Sequence, residues 1–267
     1  MAPNFDSLTI FFPMWNEELT IARTVEAAHE IGGDLVEAGE IGSYEILIVD
    51  DASTDSTGEL ADRMALDDER VRVVHHPVNR KLGGSVKTGL AEAKGHLVLY
   101  TDADMPFDLA DLSKAVRLLR VYDADIVSAY RFDRTGEGWR RALYSFVYNA
   151  LVRSLMALPV RDVNFAFKLV RREVLDHVEL RSEGSFIDAE LLARAKALGF
   201  HIIQFGVDFF PRSRGISTLS SPSVILRIVR ELTTILPAIR ALDPLPPAVR
   251  RPYPSAPPPS APPPSAP

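Results

Sequence analysis

The sequence predicts an α/β fold, in which a doubly wound and mostly parallel sheet is flanked by helices. Short apolar runs alternate with amphipathic stretches through the first half of the chain, and such alternation is typical of βαβ units. Asp55 and Asp108 stand where each can cap the helix that follows it. With 46% hydrophobic and 25% charged residues, the chain has the composition of a globular protein with a sizeable core.

Strands and helices are predicted in turn along the first half of the chain. The apolar runs predict strands at residues 8–12, 44–49, 71–75, 96–100 and 125–129. The amphipathic stretches between them predict helices at residues 17–31, 55–65, 83–93 and 108–120. Helical connections of this kind place successive strands parallel to each other in one sheet.

The second half is less regular. An amphipathic segment at 139–158 precedes a strand at 165–171, a helix at 188–198, a strand at 201–209 and a last amphipathic helix at 223–242. We therefore divide the chain into a single α/β domain at 1–221, a C-terminal amphipathic helix at 222–242 and a tail at 243–267. The tail is rich in Pro, Ser and Ala, so we expect it to be disordered and to act as a spacer rather than as a partner-binding segment.

Charge and composition exclude several classes of protein. The formal net charge of −6 argues against a nucleic-acid-binding protein. The chain has no cysteine, which excludes disulfides, thiolate chemistry and zinc–thiolate sites. The first residues do not form a signal peptide, and no apolar window reaches the length of a spanning helix. We expect a cytoplasmic protein that is soluble or peripheral on the cytoplasmic face of the membrane.

Carboxylates follow two of the predicted strands directly. Asp102 and Asp104 come after the apolar run at 96–101, and Asp50 and Asp51 end the run at 44–49. In open α/β sheets ligands bind outside the carboxyl ends of strands, where an acidic pair can hold a divalent cation against a diphosphate. A solvated turn would explain one such site. Because the first strand also ends in a polar turn, PMWNEE, we expect a nucleotide-binding cleft at this edge.

A basic, glycine-rich segment, NRKLGGSVKTG, spans residues 79–89. Such a turn before a helix could bring backbone amides, and the Lys87 side chain, to a nucleotide phosphate. The alternative is that Gly83 and Gly84 only form the turn. His75 and His76 have no histidine partner at metal-ligand spacing, so we interpret them as solvated or core residues.

Four segments, FFPMWNEE, ILIVDDASTDST, NRKLGGSVKTG and LYTDADMPFD, occur in this order and spacing. The chain thereby resembles the family-2 inverting glycosyltransferases of the GT-A fold, and among them the polyprenyl-phosphate (dolichol-phosphate mannose synthase-like) enzymes. The later segments SAYR, LPVRDVNFAFKL and PRSRGIST support the second likeness. Together the resemblance covers residues 8–218.

The resemblance implies roles for particular residues. The first nucleotide-binding turn is matched by Pro13, Asn16 and Glu17, and Asp51, with Asp50 beside it, matches the acid that holds the base or ribose. Asp102 and Asp104 match the acids that hold Mg²⁺ or Mn²⁺ and the sugar diphosphate. The positions that handle phosphates are matched by Arg131, Arg214 and Ser217.

Two positions depart from the pattern. Pro106 replaces a usual glutamine metal ligand, and proline has no side-chain donor or acceptor. Thr218 replaces a usual lysine, which removes one positive charge.

The implied activity is metal-dependent transfer of a sugar from a GDP- or UDP-sugar to a polyprenyl phosphate. An anionic phosphate acceptor needs no general base, because its second pKa is about 6. A soluble hydroxyl acceptor would need one, and Asp188 or Glu190 is then the candidate. Both acids could instead complement a helix N-terminus. A non-catalytic nucleotide-sugar-binding module is a further alternative. A sugar nucleotidyltransferase would open with a glycine-rich phosphate loop, which FFPMWNEE does not offer.

A lipid acceptor requires a membrane-facing surface. Residues 139–158 and 223–242 each mix an apolar stripe with arginines, which suits a helix lying in the interface of an anionic bilayer. The alternative for both is an ordinary helix that faces the core.

Overall fold

The computed structural model describes residues 3–132, 149–150, 152–209, 222–246 and 249, and of residues 222–230 the backbone alone. This part of the chain forms a seven-stranded sheet with helices on both faces. Its strands are β1 (Phe5–Met14), β2 (Ile41–Asp50), β3 (Val71–His75), β4 (Leu97–Thr101), β5 (Ile126–Arg131), β6 (Phe167–Arg171) and β7 (Ile202–Val207). Its helices are α1 (Ile21–Glu37), α2 (Thr57–Asp67), α3 (Lys81–Glu92), α4 (Asp111–Val121), α5 (Arg172–Leu175), α6 (Ile187–Ala197) and α7 (Pro222–Arg240).

The strand order is β3-β2-β1-β4-β6-β5-β7. Strands β3, β2, β1 and β4 are parallel to one another, and β5 is parallel to β7. Strand β6 lies between β4 and β5 and is antiparallel to both. The predicted α/β class with a mostly parallel sheet is therefore confirmed, with one reversed strand near its centre.

Alternation along the central strands separates two apolar layers. In β1, Ile10 and Phe12 join the layer that includes the inner faces of α1 and α4, while Phe11 joins the layer that includes α3 and α6. The same alternation holds in β2 and β4. Because successive side chains of a strand point to opposite faces, a strand covered on both sides reads as a continuous apolar run.

The glycine-rich segment at 79–89 was predicted as a turn that leads into a helix at Gly83, and the helix begins two residues earlier than predicted. Helix α3 begins at Lys81, so Gly83, Gly84 and Lys87 lie inside it. A Cβ atom on Gly83 would lie 2.5 Å from the carbonyl carbon of Glu183. The glycines therefore allow the helix backbone to approach the 182–184 loop closely.

Helix α7 turns its described apolar side to the domain. Leu232, Ile235 and Ile239 are buried in the same layer as α6, and the Ser182 hydroxyl donates to Glu231 Oε2 at 3.0 Å. The core-facing alternative therefore accounts for these residues. Of the segment at 139–158, residues 152–156 are helical with Val152 and Met156 buried, while residues 133–148 lie outside the described part.

Across the described residues, we find no helix that is both long enough and apolar enough to span a bilayer.

Candidate functional site

The parallel pairing of β1 with β2 and β4 brings three strand ends to one edge of the sheet. Met14 lies opposite Asp50 at the ends of β1 and β2, and Phe11 lies opposite Tyr100 near the end of β4. Pro13 lies opposite Val49 in the same register. The polar residues that follow these strands therefore share the edge at which α/β sheets bind ligands.

Asp102 and Asp104 occupy a tight turn directly after β4. The Thr24 hydroxyl of α1 donates to the Ala103 carbonyl at 2.6 Å, and Met105 adopts a left-handed conformation with φ of 40°. Ala103 is buried, whereas the two acids beside it are partly exposed. The turn is thus anchored to the fold through its middle residue.

This pair of carboxylates suits a hard divalent cation. Among the described residues, no group of three His, Cys, Asp or Glu side chains forms a complete metal site. Mg²⁺ commonly takes only one or two carboxylates from the protein and completes its shell with substrate phosphates and water. Asp102 and Asp104 match that requirement.

The turn after β1, which was predicted to bind the nucleotide, is tied to the loop after β2. Asn16 has a φ of 58°, and its side-chain oxygen accepts the Thr54 amide at 2.8 Å. The backbone amide of Asn16 donates to the Ser53 hydroxyl at 3.0 Å, and the backbone amide of Glu17 donates to the Thr57 hydroxyl at 2.7 Å. These bonds hold the loops after β1 and β2 together as one surface.

Asp51 is buried and hydrogen-bonded to a buried histidine. Its Oδ1 atom lies 2.6 Å from His76 Nδ1 and accepts the Arg80 amide at 2.7 Å. The other ring nitrogen of His76 lies 2.9 Å from the Thr88 hydroxyl of α3. His76 is thus a core residue, as one of the two interpretations proposed, and it orients the Asp51 carboxylate.

His75 bridges a buried acid, Asp50, and an exposed acid, Asp62. Its Nδ1 atom lies 2.8 Å from Asp50 Oδ2, and its Nε2 atom lies 3.0 Å from Asp62 Oδ1 of α2. Hydrogen bonds to Asp62 and then to Asp50 raise the pKa of His75. Sequence reasoning missed these partnerships. The signal was available in the two acids that end β2 and the two histidines that end the neighbouring β3.

On the other side of β4, Arg131 ends β5 and pairs with Asp162. Arg131 Nε donates to Asp162 Oδ2 at 2.8 Å, and Asp162 is fully buried. The Arg131 guanidinium lies 5.8 Å from the Phe165 ring centre and 5.2 Å from that of Phe209. A cation is therefore held against an aromatic wall. The predicted phosphate residues Arg214 and Ser217 lie outside the described residues.

A buried ion pair joins β6 to the start of α6. Lys168 Nζ lies 2.8 Å from Asp188 Oδ1 and donates to the Phe165 carbonyl at 2.8 Å. Lys168 stands opposite Tyr100 of β4 and Ser128 of β5. Burial raises the pKa of Asp188, and the Lys168 charge opposes that rise. Sequence reasoning missed Lys168, although a lysine inside the apolar run FAFKLV was a visible signal.

Glu190 and Lys87 are engaged with the loop between α5 and α6. The buried Glu190 carboxylate accepts the Arg181 and Ser182 amides at 2.9 and 2.7 Å through Oε2, and Arg194 Nε at 2.7 Å through Oε1. With both oxygens occupied, Glu190 holds this loop rather than acting as a base. The Lys87 ammonium contacts the Glu183 carboxylate of the same loop.

Both a protein-family model and individual known proteins match this chain. Residues 9–179 match the model of the family described as glycosyl transferase family 2. Over 228 residues the chain is 30% identical to the polyprenol monophosphomannose synthase of Mycolicibacterium smegmatis, covering 80% of this chain and 82% of that protein. It is 31% identical over 210 residues to glycosyltransferase AglD of Haloferax volcanii. That match covers 77% of this chain but spans only 33% of AglD.

Among solved structures, the fold is shared with glucosyl-3-phosphoglycerate synthase of Mycobacterium tuberculosis. In its complex with Mn²⁺, UDP-glucose and phosphoglyceric acid, that enzyme matches with a TM-score of 0.66 and 22% identity, over 87% of this chain and 80% of that chain. At this identity the likeness concerns the arrangement of the sheet and helices.

Proposed function

The chain belongs to glycosyl transferase family 2 and is a glycosyltransferase, and we propose that it transfers a sugar from a nucleoside-diphosphate sugar to a polyprenyl phosphate. The single observation that carries the donor half is the meeting of three strand ends at one edge. Asp50 ends β2 and Asp51 follows it, Asn16 follows β1, and Asp102 and Asp104 follow β4. A nucleotide held along this edge would present its diphosphate to the last two acids.

Asp102 and Asp104 would hold Mg²⁺ or Mn²⁺, and such an ion neutralises charge that develops on a diphosphate leaving group. Other residues of the chain would bind and position the nucleotide. Asp51, oriented by His76, and Asn16, oriented by Thr54, would position the nucleotide. In the reaction an acceptor phosphate oxygen forms a bond to the anomeric carbon of the sugar. The bond from that carbon to the diphosphate breaks, and its electron pair leaves with the diphosphate.

Two observations support an anionic lipid as the acceptor. The similarity to a polyprenol monophosphomannose synthase covers most of both chains. Arg131, packed against Phe165 and Phe209, combines a cation with an aromatic wall, which suits a phosphate that carries an apolar chain. Neither acid of α6 is required as a base in this reaction, because the acceptor phosphate is already ionised near pH 7. The enzyme would meet this acceptor at the cytoplasmic surface of the membrane.

A second candidate is transfer to a soluble hydroxyl acceptor, with Asp188 as the general base. One observation favours it: burial raises the pKa of Asp188, and a carboxylate with a raised pKa is a better base near neutral pH.

The two candidates differ in what Asp188→Asn does. Purified full-length protein would be given UDP- and GDP-sugars with Mn²⁺, and either a polyprenyl phosphate in detergent or a water-soluble sugar. With a phosphate acceptor, Asp188→Asn should retain turnover within about tenfold. With a hydroxyl acceptor, loss of the base should cost roughly 10²- to 10⁴-fold.

Asp188→Asn also leaves the buried Lys168 charge without its carboxylate, which is destabilising. The double variant Asp188→Asn with Lys168→Gln removes both charges and serves as the control, with thermal melting to confirm folding. Turnover on the lipid that collapses in the folded double variant would contradict the phosphate-acceptor proposal.

A further inference from the structure

We infer that His75 is a positioning residue for the sugar donor, and that it acts through a continuous chain of hydrogen bonds running from Asp62 to Asn16. This inference rests on the proposed use of the β1–β2 edge to bind a nucleotide. His75 belongs to β3, next to β2 and two strands away from β1. It would therefore influence the donor without contacting it.

The chain of bonds crosses three strands. Asp62 Oδ1 on α2 lies 3.0 Å from His75 Nε2, and His75 Nδ1 lies 2.8 Å from Asp50 Oδ2. The other oxygen of Asp50 accepts the Ser53 amide at 3.0 Å. The Ser53 hydroxyl then accepts a hydrogen bond from the backbone amide of Asn16 at 3.0 Å. Each link therefore fixes the next, from an exposed acid to the turn after β1.

The turn at the end of this chain needs such support. Asn16 has a φ of 58°, and Ala52, which lies between Asp50 and Ser53, has a φ of 57°. Residues other than glycine rarely adopt this left-handed conformation, and they keep it only where surrounding contacts impose it. The bonds from Asp50 to Ser53 and from Ser53 to Asn16 are contacts of that kind. Releasing Asp50 would loosen both residues.

The fold also leaves room for the pair of His75 and Asp50. A Cβ atom on Gly58, in the first turn of α2, would lie 3.1 Å from Asp50 Oδ2 and 3.6 Å from His75 Cε1. A larger residue there would crowd the bond between the two side chains. Helix α2 thus contributes an open position at Gly58 and the acid Asp62 to the same histidine.

Both ring nitrogens of His75 face carboxylates, and only a protonated imidazole has two N–H donors. The charged groups that act on the ring are Asp62 of α2 and Asp50 of β2, and together they raise its pKa above the usual value. As the pH rises through this raised pKa, one of the two carboxylates loses its donor. The chain of bonds should therefore be intact below this raised pKa and weaken as the pH rises through it.

The test uses Asp62→Asn, because Asp62 is exposed and lies at the far end of the chain from Asn16. The substitution keeps an oxygen that can accept a hydrogen bond but removes the charge, so the pKa of His75 should fall toward its usual value. The measurements are KM for the donor sugar, KM for the acceptor, kcat, and the affinity for UDP and for GDP, each across pH 6 to 9. We expect the weakening of donor binding to begin at a lower pH than in the wild type.

His75→Leu should remove the effect of pH and raise the donor KM roughly fivefold or more, since hydrogen bonds to charged groups are stronger than those between neutral groups. In both variants kcat and the acceptor KM should change less than about twofold. The matched control is Thr9→Val. Thr9 is buried toward the other end of β1, where its hydroxyl donates to Glu45 and accepts the Lys94 and Gly95 amides.

The inference is overturned if Thr9→Val raises the donor KM as much as His75→Leu, because the effect would then reflect stability alone. An unchanged pH profile in Asp62→Asn would also overturn it. If the wild type binds neither UDP nor GDP, the proposed nucleotide site at the β1–β2 edge is wrong. The inference about His75, which rests on that site, is then wrong as well. Transfer to a soluble hydroxyl acceptor would contradict the lipid acceptor but leave the role of His75 standing.

Discussion

His76 Nδ1 lies 2.6 Å from Asp51 Oδ1, and both side chains are buried. A second pair of the same chemical type, His96 and Asp6, is separated by 3.1 Å at the surface. The two pairs differ mainly in their access to water. Because water can replace a lost partner only at the surface, the buried pair should matter far more to stability.

We therefore expect His76→Leu to lower the free energy of unfolding by about 1–3 kcal/mol, since it takes the imidazole partner from a buried carboxylate and leaves it the Arg80 backbone amide. The matched variant His96→Leu should change it by less than ~1 kcal/mol. Urea unfolding at pH 7 measures both. Equal effects of the two substitutions would show that burial does not decide the strength of these pairs.

Asp104→Ala should reduce metal-dependent turnover of the nucleotide sugar by roughly 10²-fold or more, because a bound divalent cation supplies several kcal/mol of charge stabilisation. The melting temperature should be close to that of the wild type. Asp108→Ala removes an exposed acid from the same loop, where its side chain accepts the Ala110 amide, and should leave turnover nearly unchanged. Full Mn²⁺-dependent activity in Asp104→Ala would exclude the proposed metal role.

Pro106→Gln should lower the Mn²⁺ concentration that gives half-maximal activity, because an amide oxygen can complete the ion's shell. The loop should tolerate the change, since Phe107 next to it packs on Phe165 and Phe167 at 5.4 and 5.3 Å between ring centres. Pro106→Ala separates the added ligand from the loss of the proline ring. If both variants behave alike, water or another residue already completes the shell.

Gly83→Ala should destabilise the fold by ~1–3 kcal/mol, because its methyl group would overlap the backbone of Glu183. Gly33 lies inside α1 with nothing within 4 Å of an added Cβ. Gly33→Ala should therefore stabilise the protein by about 0.5–1 kcal/mol, the usual helix preference for alanine. Thermal or urea unfolding of the two variants gives the comparison, and effects of the same sign would contradict it.

The protein should co-sediment with vesicles that contain anionic lipid, and added salt should weaken this binding. Arg140→Glu with Arg141→Glu should reduce it further, because these arginines belong to the amphipathic segment at 139–158. A control with the same change of charge is Arg63→Glu with Arg117→Glu, at exposed positions of α2 and α4. Equal losses in both double variants would indicate that net charge, rather than this segment, governs binding.

Much of the fold could be predicted from the sequence because its strands are apolar on both faces. The apolar run at 71–75 corresponds to β3 residue for residue, and the other predicted strands and helices overlap observed ones. The direction of β6 could not be predicted, because an apolar run does not indicate whether its strand is parallel or antiparallel to its neighbours. The register between neighbouring strands could not be predicted either. The pairing of His75 with Asp50 and of His76 with Asp51 depends on that register.

Other features depend on tertiary contacts that local pattern does not reveal. Gly83 and Gly84 suggested a turn because glycine is costly inside a helix, but the close approach of the 182–184 loop outweighs that cost. Lys168 stands in an apolar run, and its partner Asp188 is distant in sequence. The sequence left Asp188 and Glu190 as alternative candidates for a general base. Glu190 is engaged by three donors, while Asp188 faces one lysine.

The reversed strand β6 has a consequence for how such an enzyme can diversify. Since β5 and β6 run antiparallel side by side, the chain leaves the sheet after Arg131 and returns at Phe167 on the same edge, the one where β4 presents Asp102 and Asp104. The connection that spans residues 132–166 therefore begins and ends at the edge that carries the proposed metal ligands. Under the proposed function, insertions or replacements within this connection would alter which acceptors can enter, while the strands of the proposed nucleotide edge keep their alignment.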